Sequence, residues 1–446
     1  DIHILKIDTS NGGVVHGTFL GNPGILVDNI LGDIKYDENH QSIYMVGKEG
    51  IPIWGNNNSS VGGGFIAKFD GDLNPIWSTM IGANVNEFEV LAIAIKDNEE
   101  IIVGGYSSNN GITPQSHANN TNSYVENYLG DPRDGYLMMF SPRSNNVLWA
   151  TYFGGNSEDR IVDIELGASG DIYVSGNTHS SNLHTYSNNI LLADSLKGDK
   201  DGFITRFDSI GNLKYSSYLG GINGRITEMV IDDLENVYYT GTASGGLNVL
   251  QYPPNYYTEH KKPNYSDAFI LTMNTINLPD WTTYFGGNST DVGLGITISS
   301  NDYLYITGNT GSTASFPWMD PLPSNSNNWF DNTPSSIGDA FVAKFLLSHL
   351  VSMNQMNAVS KNNILVYPTV SSTGLYKVKT KNKNKLIYNR ILVFNGLGQI
   401  VYSKKINHSL STFETILNLS HLSSGTYYVS LAGESVINTQ PIILSK

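Results

Sequence analysis

The chain of 446 residues contains no cysteine, so neither disulfide staples nor thiolate metal sites are open to it. Charge is sparse: Asp, Glu, Lys and Arg make up only 15% of residues. No apolar run approaches the roughly 20 residues that a membrane-spanning helix needs, so the mature chain is expected not to be transmembrane. No H-E-x-x-H or comparable ligand spacing links the ten histidines. His179 and His184 share a loop without an evident third ligand and read as solvated. G-x-S-x-G elbows and phosphate-binding loops are missing too, and the run Gly62–Gly64 precedes a strand, as a turn would. Basic charge is scarce where a nucleic-acid surface would need it. After Ser360 ten Lys and Arg face two acidic residues, Glu414 and Glu434, which leaves sixteen basic against thirty-eight acidic side chains before it. The long N-terminal part is therefore a poor partner for phosphates, and no nucleic-acid partner is expected. The basic run KVKTKNKNK near the other end alternates as an exposed strand and turn.

Glycine (45) and tyrosine (26) are abundant, as suits an all-β chain with many turns. Thr151–Ser180 (TYFGGNSEDRIVDIELGASGDIYVSGNTHS) returns almost verbatim at Thr283–Ser312 (TYFGGNSTDVGLGITISSNDYLYITGNTGS). Four landmarks recur per unit: an aromatic-glycine strand end (TYFGG, SYLGG), a strand such as ITEMVIDD, a strand such as NVYYTGTA, and a strand of the DGFITRF type. Thr151, Ser217 and Thr283 are 66 residues apart. Each strand alternates apolar and polar side chains, and the connections are short and rich in Gly, Asn and Asp. Four antiparallel strands repeated at this period describe a β-propeller; solenoid repeats are shorter.

These residues resemble the bacterial β-propeller repeat known as the SBBP repeat, through Trp281–Gly287, Asn236–Thr242, Tyr303–Thr310 and Asp339–Phe345. The resemblance extends over about residues 1–347, with the trailing S-x-x-F-P kept at Ser312–Pro317 and replaced at Ser180–Thr185. It implies a scaffold rather than a fixed activity. Counted in the family's strand order the region holds twenty-one strands, for five or six blades. Five close if Gly13–Leu20 completes the last blade and leaves Asp1–Asp8 spare; six need residues before Asp1. A start at Asp1 rather than Met fits a removed signal peptide or a fragment.

Residues 348–361 lose the pattern and read as a linker. From 362 to 446 about seven short strands suggest a small Ig-like β-sandwich. This tail resembles the type A sorting domain of Bacteroidetes proteins exported by the type IX secretion system. Tyr367-Pro368, the segment Val393–Val401 with Gly398, the run Leu419–Val429 with Gly425 and Tyr427, and the terminal Pro441–Lys446 carry the likeness. The family's Y-P-N-P opening is replaced by Tyr367-Pro368-Thr369-Val370. The resemblance implies export across the outer membrane, recognition by the translocon and its outer-membrane shuttle barrel, and a cell-surface or extracellular destination.

Acidic turns at Phe69–Asn74 and Gly198–Phe203 offer oxygen ligands for structural Ca²⁺, but neither completes an EF-hand, and Asp201, Asp267 and Asp339 recur as strand-entry caps. No other cofactor is expected. The long insertions Ile51–Gly63, Ser107–Arg133, His179–Lys200, Ser244–Ser266 and Gly311–Gly338 all join the second and third strands of a unit. In an up-and-down blade they leave by the same face. Tyr252, Tyr256, Tyr257, Trp318, Trp329 and Phe330, set among Asn, Ser and Pro, are the candidate rim for a glycan or protein ligand. The alternative is that such aromatics pack beneath their own loops. With no catalytic motif in view, the expectation is a non-enzymatic, adhesin-like surface protein. An enzyme acting on polysaccharide and a component of a surface or gliding-motility assembly are the other readings.

Overall fold

The computed structural model describes residues 2–445 apart from 21–29, 49–62, 83–86, 109–110, 128–132, 143–145, 188–190, 250–256, 258, 260–264, 275–276, 278, 300–302, 318–337, 348–363, 381–387, 395–399, 409–413 and 434–437. The proposed linker lies outside the described residues. Every described element is a β-strand. The first two, β1 (Ile2–Ile7) and β2 (Val14–Leu20), pair with each other alone. Four complete antiparallel sheets follow. Blade 1 is β3 (Ile30–Asp37), β4 (Ser42–Lys48), β5 (Gly64–Asp70) and β6 (Pro75–Ile81). Blade 2 is β7 (Phe88–Ile95), β8 (Ile101–Ser107), β9 (Asp134–Ser141) and β10 (Asn146–Phe153). Blade 3 is β11 (Asp159–Leu166), β12 (Ile172–Thr178), β13 (Asp201–Phe207) and β14 (Leu213–Tyr218). Blade 4 is β15 (Arg225–Ile231), β16 (Val237–Ala243), β17 (Asp267–Met273) and β18 (Pro279–Phe285). A three-stranded sheet of β19 (Asp291–Ile298), β20 (Tyr303–Thr310) and β21 (Asp339–Leu346) ends the series.

The molecule is a β-propeller whose inner strands touch in the order β3, β7, β11, β15, β19. Hydrophobic clusters fill the space between successive blades. One joins Ala92 and Met139 to Phe203 and Phe207; another joins Phe269 and Leu271 to Tyr173 and Ile204. Burial of such faces is the main favourable term in holding blades together.

The place of β2 bears on how the last blade closes. It does not complete the last blade: it stays paired with β1, and Ile2 and Ile4 of β1 pack with Phe65, Ala67 and Phe69 on blade 1. Among the described residues β2 therefore does not add to β21, and the closure of the last blade through Gly13–Leu20 is not formed.

Each inner strand bulges near its middle, at Leu31/Asp33, Val90/Ala92, Ile161/Asp163, Ile226/Glu228 and Gly293/Gly295. Opposite this point stands the glycine of the recurring strand. A Cβ on Gly47, Gly105, Gly176, Gly241 or Gly308 would come within 1.9–2.2 Å of an inner-strand carbonyl. Close backbone approach explains the glycine in Y-[VI]-[ST]-G-N-T.

The C-terminal region forms two sheets. One holds β22 (Ile364–Tyr367), β24 (Leu375–Thr380) and β27 (Glu414–Asn418). The other runs β23 (Val370–Ser371), β29 (Asn438–Leu444), β28 (Gly425–Gly433), β25 (Tyr388–Phe394) and β26 (Ile400–His408). Val366, Tyr376, Val378, Ile391, Val393, Leu417, Val429, Ile442 and Leu444 make its core.

Candidate functional site

Up-and-down strand order sends every connection between second and third blade strands to the same face. Of the six rim aromatics, Tyr257 alone falls on described residues; Tyr252, Tyr256, Trp318, Trp329 and Phe330 lie outside them. Tyr257 is not an open stacking platform. Its ring packs against Phe285 and Phe345 at centroid distances of 5.9 Å, beside the core of blades 4 and 5. Its carbonyl accepts Trp281 Nε1–H at 2.8 Å, and its hydroxyl donates to Glu259 Oε2 at 2.5 Å. Glu259 N–H donates to Thr283 Oγ1 at 2.8 Å. The aromatic packs against the blade instead.

The same plug recurs one unit pair earlier. Tyr124 accepts Trp149 Nε1–H at 2.8 Å and donates to Glu126 Oε2 at 2.9 Å, while Glu126 N–H meets Thr151 Oγ1 at 2.8 Å. Burial and the adjacent carboxylate push both phenols well above their usual range. His184 lies against Tyr124, and His179 Nδ1 meets the Asp199 carbonyl. A sequence signal for the plug exists: Y-x-E followed by seven residues and the third-strand Asp, at Tyr124/Glu126/Asp134 and Tyr257/Glu259/Asp267. Trp329-Phe330-Asp331 stands at the same offset before Asp339.

At the axis the bulges place acidic side chains that tie one blade to the next. Asp33 Oδ2 accepts Ile93 N–H at 3.1 Å, Asp163 Oδ2 accepts Met229 N–H at 2.7 Å, and Glu228 Oε2 accepts Ile296 N–H at 2.9 Å. Blade 2 has Ala92 there and makes no such tie. Desolvation raises all three carboxyl pKa values. Lys35 reaches across from β3 to Glu165 on β11 at 2.6 Å, and Glu165, Asp33 and Asp163 hold its ammonium charged well above the ordinary range despite burial.

The acidic turns close hairpins. Asp70 Oδ1 accepts the N–H groups of Asp72 and Asn74, both at 2.9 Å, and Asn74 Nδ2 returns to Asp70 Oδ2 at 2.8 Å. Asp208/Asn212 and Asp232/Asn236 repeat this D-x-x-x-N clasp.

In the C-terminal domain Pro368 follows Tyr367 through a cis bond, and both side chains are exposed. Tyr427 is buried and donates to the Ser423 carbonyl at 2.8 Å; Gly425 opens its strand opposite Leu444. Pro441 pairs with Tyr428. Gly398 and Lys446 lie outside the described residues. The terminal strand β29 is held on both sides, antiparallel by β28 and parallel by the short β23, and Tyr376 OH donates to Ile443 O at 2.7 Å.

Residues 365–445 match the secretion system C-terminal sorting domain family. The tail is a type IX sorting domain. Residues 280–317 match the β-propeller repeat family of SBBP type. A chain with this sorting domain is exported to the cell surface or extracellular space and engages the secretion machinery. Among the described residues no helix is long and apolar enough to cross a membrane. No curated protein matches the chain. Among solved structures, the Pseudomonas aeruginosa periplasmic gluconolactonase is 8% identical, with 92% of this chain and 93% of that chain covered and a TM-score of 0.35. A Synechocystis apocarotenoid oxygenase is 10% identical over 68% of this chain and 61% of that one, at TM-score 0.36. A Bifidobacterium adolescentis glycoside hydrolase of family 32 is 8% identical over 97% and 69%, at 0.27. Likenesses this slight say nothing about activity.

Proposed function

We propose that the chain is an adhesin-like surface protein, associated with the outer membrane, whose propeller presents a ligand-binding rim and whose sorting domain serves export. The observation that supports this most is the joining of a sorting domain to a scaffold whose long connections all leave by one face. We read the propeller as a binding module rather than a catalyst. Asp33, Asp163 and Glu228 are each committed to a backbone N–H of the next blade, and Glu165 to Lys35, which leaves them ill-suited to acid–base work. The ligand class is a surface or environmental glycan, stacked on by rim aromatics outside the Tyr257 plug. The test is a polysaccharide array on the full chain with product analysis in the same wells. Binding without product, weakened at least tenfold by Trp318→Ala, supports the reading; release of shorter sugars overturns it in favour of an enzyme.

For export, the outer face of the sheet β22–β24–β27 carries the exposed Tyr367 and Ile416 on either side of the half-buried Lys377, in direct cross-strand register. We assign shuttle recognition to this sheet and to β29. Because Ile442 and Leu444 belong to the core, deletion of Pro441–Lys446 would unfold the domain as well as remove a signal, so a surface substitution is the cleaner probe.

A further inference from the structure

On the face of the ring opposite the long insertions, the ends of the first three inner strands enclose a cavity of about 240 Å³. Its wall takes residues 35–39 from β3 and its hairpin to β4, residues 94–97 from β7 and its hairpin to β8, and residues 165–166 from β11. These hairpins join first to second strands, whereas the insertions join second to third. The two sets of connections therefore leave by opposite faces.

Counting from the bulges shows where the space comes from. Two residues beyond them the inner strands place Lys35, Ala94, Glu165, Val230 and Thr297; three beyond, they place Tyr36, Ile95, Leu166, Ile231 and Ile298. The Lys35–Glu165 pair thus runs from blade 1 to blade 3, at 2.6 Å, past a blade 2 that offers only the methyl group of Ala94. Tyr36 is the one aromatic in its row. It is 51% exposed, and its hydroxyl donates to Gln41 Oε1 at 2.7 Å. Some polar groups of the wall are already engaged: Asp37 accepts the N–H groups of Asn39 and His40 and pairs with His40 Nδ1 at 2.8 Å, and Lys96 pairs with Glu100 at 2.6 Å. Others keep capacity. Glu165 meets Lys35 through Oε1, and Asp97 meets Asn39 Nδ2 through Oδ1 at 3.3 Å, so each retains a second oxygen, while the Lys35 ammonium carries further N–H groups beyond that pair.

The charges of the wall select the ligand. An anion meets four carboxylates, Asp37, Glu38, Asp97 and Glu165, and a small cation meets the ammonium of Lys35. A neutral diol suits both members of the ion pair, accepting from Lys35 and donating to Glu165. The C–H face of a sugar ring suits Tyr36 with Ile95 and Leu166 beside it. Pockets for drug-sized ligands run about 300–1,000 Å³, so this smaller one takes a single ring and not a chain. We propose that the cavity binds one neutral hexopyranose unit, with Tyr36 as its stacking platform and the Lys35–Glu165 pair as the clamp on a vicinal diol. The site is separate from the insertion rim, and its occupancy does not depend on what the rim binds.

The full chain is tested by saturation-transfer NMR and calorimetry against the methyl glycosides of glucose, galactose and mannose at millimolar concentration, with glucuronate and glucosamine as charged controls. The expected result is one site per chain for at least one neutral glycoside, affinity weakened about tenfold by Tyr36→Ala and by Glu165→Gln, and weaker binding of both charged sugars. Neither substitution should alter the polysaccharide-array signal of the insertion rim, so failure of one site is read apart from failure of the other. Wild-type protein that shows no transfer from any neutral glycoside overturns the proposal, and this readout stands even if a variant fails to fold. Undiminished binding in both variants overturns it too, as does glucuronate held more tightly than the glucoside.

Discussion

Asp201 shows how burial and hydrogen bonding compete at a single carboxyl. Three amides favour its ionised form, but desolvation is the larger effect and pushes its pKa up to about 7. The folded state therefore holds a proton that the unfolded chain, with an ordinary carboxyl near 3.8, releases. The stabilising contribution is complete below that ordinary value and is lost as pH rises through about 7. In metal-free buffer, thermal midpoints measured between pH 4 and 8 should fall across this window, and Asp201→Asn should flatten the fall. A profile equally steep in the variant would assign the pH dependence elsewhere. Aspartates at strand entries are legible in the sequence as caps, because they recur. Their pairing across blades is not, since Asp134 and Asp159 are brought together only when two sheets pack.

At the scale of the element, the recurring second strand owes its glycine to the bulge opposite. A Cβ on Gly241 would stand 1.9 Å from Arg225 O and 3.0 Å from the Phe269 ring, with backbone on the nearer side. Gly241→Ala should cost about 3 kcal/mol, read as a lower denaturation midpoint, because main chain must move to admit the methyl. A loss below about 0.5 kcal/mol would mean that the bulge yields easily. The strands themselves were readable: twenty-one before the linker, with the DGFITRF-type segments third in each complete blade. The plugs were not. Composition marks Tyr257 and Trp281 as aromatic but cannot tell a rim that stacks on sugars from a seal that lies on Phe285 and Phe345. That depends on which face of a loop meets which blade. The useful signal is the spacing Y-x-E-x₇-D, present twice in insertions of different length.

For the molecule as a whole, the series of blades has two bare ends among the described residues. On the third strand of the last blade Val342 is 74% exposed, whereas Ile66, Ile204 and Ile270, at the same place in blades 1, 3 and 4, are at most 3% exposed beneath the next blade. At the other end Leu5 of β1 is 59% exposed on the face that in blade 1 is covered. Ile270→Asp should therefore abolish folding and Val342→Asp should leave the thermal midpoint within about 0.5 kcal/mol of stability, as surface changes do. Equal damage from both would mean that Val342 is covered in solution. The arrangement also governs how the protein comes apart. Among the described residues β1–β2 packs on blade 1 and β19–β21 on blade 4, and a sheet held by one neighbour opens more readily than one held by two. Amide exchange should accordingly be fastest in β1–β2 and β19–β21 and slowest in blade 3, so that the middle of the row, far from either end, is the last part to forget its shape.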